Sequence, residues 1–118
     1  MNLAELFSHE TDLLELSAGQ TLFNEGEKED LMYVLMSGTA LIVVNNRVVE
    51  VAEAGTIIGE MGMIDEGVRS ATVVAKSDCK LVSIDRKRFN FLVQQTPNFA
   101  LHVMRVIADR LRNTDAIL

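Results

Sequence analysis

The sequence predicts a mainly β fold with flanking helices, and three observations carry that prediction. Short β-rich runs fill residues 11–85, glycines stand at their ends, and a helical periodicity takes over after residue 85. Many short strands separated by regular turn signals point to a barrel or a sandwich.

Residues 1–10 carry Leu3, Leu6 and Phe7 at i, i+3, i+4, which predicts a short amphipathic N-terminal helix. The β-rich runs that follow are residues 13–16, 21–23, 31–36, 40–45, 48–52, 72–75 and 80–84. Gly19, Gly26, Gly38, Gly55, Gly59 and Gly67 fall at run ends, where a corner needs backbone that other residues resist. Asn45-Asn46-Arg47 between two Val-rich runs reads as a tight hairpin, because Asn tolerates the left-handed region.

Asp85 is placed to cap a helix through Arg86 to Gln95, with Phe89, Leu92 and Val93 on one face. Thr96-Pro97 then starts a longer helix running to about Ala116, with Thr at the cap and Pro at the first position. Two apolar stripes run along it. One holds Val103, Ile107 and Ile117, with Arg110 and Thr114 in the same column; the other holds Leu101, Met104, Ala108, Leu111 and Leu118. Two stripes fit either one broad buried face or a buried face beside a dimer seam.

Composition narrows the function. A chain of 118 residues, 48% hydrophobic and 24% charged, is the size and make-up of one globular domain. The net charge of -6, from 17 acidic against 11 basic residues, argues against direct nucleic-acid binding, which needs clustered Lys and Arg. Cys79 is the only cysteine, so no intramolecular disulfide forms, and its apolar surroundings suggest a buried thiol. No cationic-then-apolar opening and no long apolar run appears, so neither export nor membrane insertion is expected and a cytoplasmic location is the default.

The chemistry concentrates between residues 55 and 72. Glu60 to Ile64 spells one helical turn with Gly59 at its start, a place where main-chain N–H groups meet an anion. Arg69 follows nine residues after Glu60, then come the small residues Ser70 and Ala71. A guanidinium fork matches two phosphodiester oxygens, Ser70 adds a hydroxyl donor, and the acceptor-only Glu60 suits a sugar hydroxyl. These residues thus suit a ribose cyclic phosphate; they also suit a structural Glu60–Arg69 ion pair across a turn.

At this point the chain resembles a family: the cyclic nucleotide-binding domains of the catabolite-activator and protein kinase A regulatory-subunit type. Residues 16–23 (LSAGQTLF) look like its opening strand pair, 24–27 (NEGE) its next glycine corner, and 32–40 (MYVLMSGTA) its tyrosine-containing strand signature. Gly59-Glu60 and Arg69-Ser70-Ala71-Thr72 resemble its phosphate-binding cassette, at the family's separation. The resemblance covers roughly residues 12–118 and implies a double-stranded β-helix, a jelly-roll-like β-roll, with residues 1–118 as a single sensor domain and the cassette at 58–72.

The resemblance also implies roles. Gly59 and Ala71 would donate main-chain N–H, Glu60 would take the ribose 2′-hydroxyl, and Arg69 with Ser70 would hold the phosphate, beside Met61. Ile42, Val49, Ile58 and Val73 would line the base side, again with Met61. Arg110, Leu111 and Thr114 of the long helix would approach the ligand, Arg110 pairing with Glu60 and Thr114 coming from a partner subunit. The implied ligand is cyclic AMP, with cyclic GMP as the second candidate; the implied partners are a second copy through the C-terminal helix and an effector protein. Val68 departs from the proline many members have before the arginine, and Asp115 replaces a hydroxyl residue near the base, while Ser70 leans toward cyclic AMP. The family's transcription factors continue into a helix-turn-helix domain, so a free-standing sensor or the sensor half of a longer protein is expected.

Two other classes are weaker. A metal-dependent jelly-roll enzyme needs His and carboxylate ligands on facing strands, yet His9 and His102, the only histidines, lie outside the β region. Asp65 and Glu66 read as a solvated acidic pair, and no nucleophile–base set is visible. A β-roll kept only for dimerisation or docking would not need Glu60, Arg69 and Ser70 together.

Overall fold

The computed structural model describes residues 1–28, 30–64 and 67–117, the last four of them by backbone alone. The expectations for Asp65, Glu66 and Leu118, and for the side chains of Thr114, Asp115 and Ile117, lie outside the described residues.

Helix α1 (Leu3–Leu6) is capped by Asn2, whose side chain accepts from the Glu5 N–H at 3.2 Å. The strands are β1 (Leu14–Leu16), β2 (Thr21–Phe23), β3 (Met32–Ser37), β4 (Ala40–Val44), β5 (Arg47–Ala52) and β6 (Ile57–Ile58). Helix α2 (Met61–Ile64) comes next, then β7 (Thr72–Ala75), β8 (Cys79–Ile84), α3 (Arg86–Gln95) and α4 (Pro97–Ile117). They form two four-stranded antiparallel sheets, ordered β1-β8-β3-β6 and β2-β7-β4-β5. This is the expected β-roll with a short N-terminal helix and two C-terminal helices.

Period-two alternation explains why the first sheet sits in the middle of the molecule. Tyr33 and Leu35 of β3, Ile58 of β6, and Cys79 and Leu81 of β8 face the second sheet and meet Phe23, Ala52 and Val73 there. Met32 and Val34, Ile57, and Val82 and Ile84 point the other way, into a second core built with Leu3, Phe7, Leu92, Phe99 and Val103 of the helices. Strand β3, buried on both faces, therefore reads as a continuous apolar run rather than an alternating one.

The β4–β5 turn has φ of 50° at Asn45 and 62° at Asn46, the left-handed pair that a two-residue hairpin of this twist requires. Asp85 caps α3 by accepting from the Arg88 N–H at 2.8 Å, and Phe89 packs edge-on against Phe99 of α4, ring centres 5.9 Å apart. Strand β6 was not expected as a separate element, because two residues between glycine corners carry no periodicity.

Of the two stripes on α4, Val103 is buried and Ile107 packs on the helical core. Leu101, Met104 and Leu111 of the other stripe are exposed, by 43%, 58% and 56%. One broad buried face is therefore ruled out within the chain. Among the described residues, no helix is long and apolar enough to cross a membrane.

Candidate functional site: a cavity between the cassette and the long helix

A cavity of about 270 Å³ opens between the second sheet, the α2 loop and α4. Its wall includes Ile42, Ile58, Gly59, Glu60, Met61, Arg69, Ser70, Ala71, Val73, Arg110 and Leu111. Twelve residues of the expected site were described with side chains, and all but Val49 line this one space. Phe23, Gly62, Gly67, Val68 and Ile107 complete it; Gly62, Gly67 and Val68 fall within the cassette expected at 58–72, while Phe23 and Ile107 were not expected at the site.

Arg69 is held from its main chain outward. Its N–H donates to the Glu27 carbonyl at 2.8 Å, and its own carbonyl accepts from the Gly26 N–H at 2.9 Å. The glycine corner between β2 and β3, with Gly26 at φ 89°, thus forms a ledge for the cassette. The side chain is only 5% exposed: Nη1 donates to the Gly59 carbonyl at 3.2 Å, Nη2 to the Leu31 carbonyl at 2.6 Å, and Cζ lies 3.9 Å from the centre of the Phe23 ring. Burial pushes its guanidinium down to about 10, against the opposing charge of Glu27, so it stays charged at neutral pH.

Gly59 has φ of 79°, and a Cβ there would overlap Arg69 Nη1. Only glycine fits this approach.

Glu60 is 3% exposed, and its Oε2 accepts from Arg110 Nη1 at 2.6 Å. The carboxylate thus pairs with the long helix, the arrangement the family resemblance implied, and the alternative Glu60–Arg69 structural pair gives way to it. Arg110 also donates Nε and Nη2 to the two oxygens of Glu50, each at 3.0 Å, and Nη2 to the Ile57 carbonyl at 2.7 Å. Burial pulls the Arg110 guanidinium down, but the bonds to Glu50 and the charge of Glu60 outweigh it and hold the group above its ordinary value.

The expectation for Val49 is corrected. A register shift between Ile42 and Val43 pairs Ile42 with Glu50 and Val43 with Val48. Cross-strand partners share a face, so Glu50 stands on the side of Ile42 while Val49 turns away, 48% exposed. Thr114 falls on α4, its side chain outside the described residues.

The α2 turn is fixed at its far end by Arg86, the first residue of α3. Nη1 donates to the Met63 carbonyl at 3.0 Å and Nη2 to the Gly62 carbonyl at 3.1 Å, satisfying carbonyls that a helix end leaves open. Sequence reasoning missed both Arg86 and Glu50, since each acts across a distance in the chain that carries no local signal. Cys79 is buried as expected, and burial raises its thiol above the ordinary value.

The fold and this cavity define a sensor-type β-roll. Residues 13–96 match the family model for the cyclic nucleotide-binding domain, and the chain belongs to that family. It is similar to the cAMP-activated global transcriptional regulator CRP of Pasteurella multocida (strain Pm70), 34% identical over 80% of this chain and 48% of that one. It is also 33% identical to the lysophospholipase NTE1 of Chaetomium globosum, over 84% of this chain but 7% of that protein. The chain therefore spans half or less of the curated relatives it matches.

Among solved structures, the catabolite activator protein of Thermus thermophilus superposes with a TM-score of 0.82 at 27% identity, covering 95% of this chain and 55% of that one. A protein described with a cyclic-GMP-dependent signalling pathway that regulates bacterial phytopathogenesis gives 0.78 at 26% identity, over 96% of this chain and 95% of that one.

Proposed function

We propose that this chain is a regulatory, non-catalytic domain that binds a cyclic mononucleotide, cyclic AMP in preference to cyclic GMP. The observation that carries the reading is the convergence of Glu60, Arg69, Ser70 and Ala71 with Arg110 and Leu111 of α4 on one cavity. At about 270 Å³ it lies just below the usual size of ligand pockets, roughly 300–1,000 Å³, which suits a mononucleotide better than anything larger.

In this reading Arg69 and Ser70 hold the cyclic phosphate with the main-chain N–H groups of Gly59 and Ala71. Glu60 accepts the ribose 2′-hydroxyl, and Ile42, Ile58, Met61 and Val73 form the apolar wall for the base. Arg110 and Leu111 close the space from the long helix, so that occupancy and the position of α4 depend on each other. The domain comprises residues 1–118 and works in the cytoplasm. Its output surface is the exposed stripe of Leu101, Met104 and Leu111, through which it pairs with a second copy or an effector protein. The net charge of -6 supports the absence of direct nucleic-acid contact.

Calorimetric titration of the full chain with cyclic AMP and with cyclic GMP tests this. Heat of binding is expected with both, tighter with cyclic AMP; no heat and no thermal shift with either at millimolar ligand sinks the reading.

A further inference from the structure

We propose that Glu50 is a positioning residue that grips Arg110 from outside the nucleotide cavity and holds α4 docked, so that docking does not rest on Glu60 alone. This rests on the cyclic-nucleotide reading and deepens it. The geometry is specific. Arg110 presents one edge of its fork, Nε and Nη2, to both oxygens of Glu50 at 3.0 Å each, and keeps Nη1 for Glu60 at 2.6 Å. The two carboxylates therefore take different N–H groups of one guanidinium.

Arg110 also lines a second hollow of about 290 Å³, whose wall includes Glu50, Ile57, His102 and Asn113. Glu50 belongs to that hollow and not to the cavity of Glu60, so a ligand in the cavity does not compete for it. A sugar hydroxyl, by contrast, competes with Arg110 for the oxygens of Glu60. Ligand entry thus loosens the hold through Glu60 and leaves the one through Glu50. A bidentate carboxylate–guanidinium pair fixes orientation as well as distance, and Glu50 is anchored on a paired strand, opposite Ile42.

The consequence is a set point. With Glu50 present, α4 is already ordered over the cavity when the nucleotide arrives, and binding does not bear the full cost of ordering it. Glu50→Gln keeps the shape and removes the charge. Hydrogen exchange of the amides at 101–113 reads the docking of α4 directly.

In nucleotide-free full-length protein, Glu50→Gln is expected to speed exchange across 101–113, and saturating cyclic AMP to slow it again. Affinity for cyclic AMP is expected to fall roughly 5- to 150-fold, the range of ordinary couplings. Glu50→Asp, which keeps the charge, is expected to recover part of the protection. In an Arg110→Ala background, Glu50→Gln is expected to add nothing. Wild-type exchange at 101–113 in Glu50→Gln overturns the proposal, as does an equal effect with Arg110 absent. Absence of nucleotide binding by the wild type overturns the cyclic-nucleotide reading instead, and leaves the exchange comparison without nucleotide to judge the role of Glu50.

Discussion

Arg110 donates to Glu60 at 2.6 Å across 50 residues of sequence, joining the middle of α4 to the mouth of the cassette. The carboxylate is 4% exposed at this pair and the guanidinium 24%, so the contact is largely shielded from water. Removing one partner of such a pair leaves a buried charge, at a cost of about 3–5 kcal/mol. Arg110→Ala is therefore expected to lose close to that range in urea unfolding. Adding Glu60→Gln to it is expected to recover part of the loss, because the stranded charge goes with it.

Gly59→Ala separates backbone strain from loss of the site. At φ 79° an alanine costs about 1–2 kcal/mol from its own sterics, and its Cβ displaces Arg69 Nη1 as well. Gly19→Ala is the control, because φ is 89° there but nothing lies within 4 Å of the added carbon. Both variants are expected to melt earlier, and only Gly59→Ala is expected to lose cyclic AMP affinity in titration.

Arg86 tests whether the far end of the α2 turn matters to the cavity. Its two bonds to the Met63 and Gly62 carbonyls are charge-assisted, each worth about 1.5 kcal/mol or more. Arg86→Ala is expected to weaken nucleotide binding roughly tenfold without touching the ligand, which is about 1.4 kcal/mol. Arg86→Lys is expected to restore part of that affinity.

His102 gives the pH dependence. Burial, with the positive charges of the N-terminus and Arg105, holds its imidazole below 6.5 in the folded chain. The unfolded chain therefore binds more protons just below 6.5, so stability is full above that pH and falls as the pH drops through it. Glu10, held low chiefly by its hydrogen bond to Arg88, contributes stability that is lost only as the pH falls below 4.5. Thermal melts at about pH 7.5 and about pH 5.5 are expected to differ in the wild type, and the difference is expected to shrink in His102→Gln, which removes the shifted imidazole.

Much of this was legible in the sequence because the deciding signals are local. Strands β2 and β7 and helix α3 run where composition and the Asp85 cap place them, and the Asn45-Asn46 turn follows from two residues that tolerate positive φ. The cassette residues reach one cavity because Gly26 and Gly59 set the ledge and the approach of Arg69. What stayed hidden depends on register and distance. A bulge between Ile42 and Val43 leaves no mark in composition, yet it exchanges Val49 for Glu50 on the inner face. Phe99, wholly buried in the first turn of α4, was named on neither expected stripe, yet it stands one turn before Val103 and packs into the same core against the strands of the first sheet.

The most direct test follows backbone amide and arginine side-chain NMR signals of the full chain as cyclic AMP is added, with 5′-AMP as the open-phosphate control. The account predicts shifts concentrated at Gly59, Glu60, Arg69, Ser70 and Ala71 and extending to Arg110 and Leu111, with little response to 5′-AMP. Signals from these residues that stay in place at saturating ligand, or move only elsewhere in the roll, would contradict it.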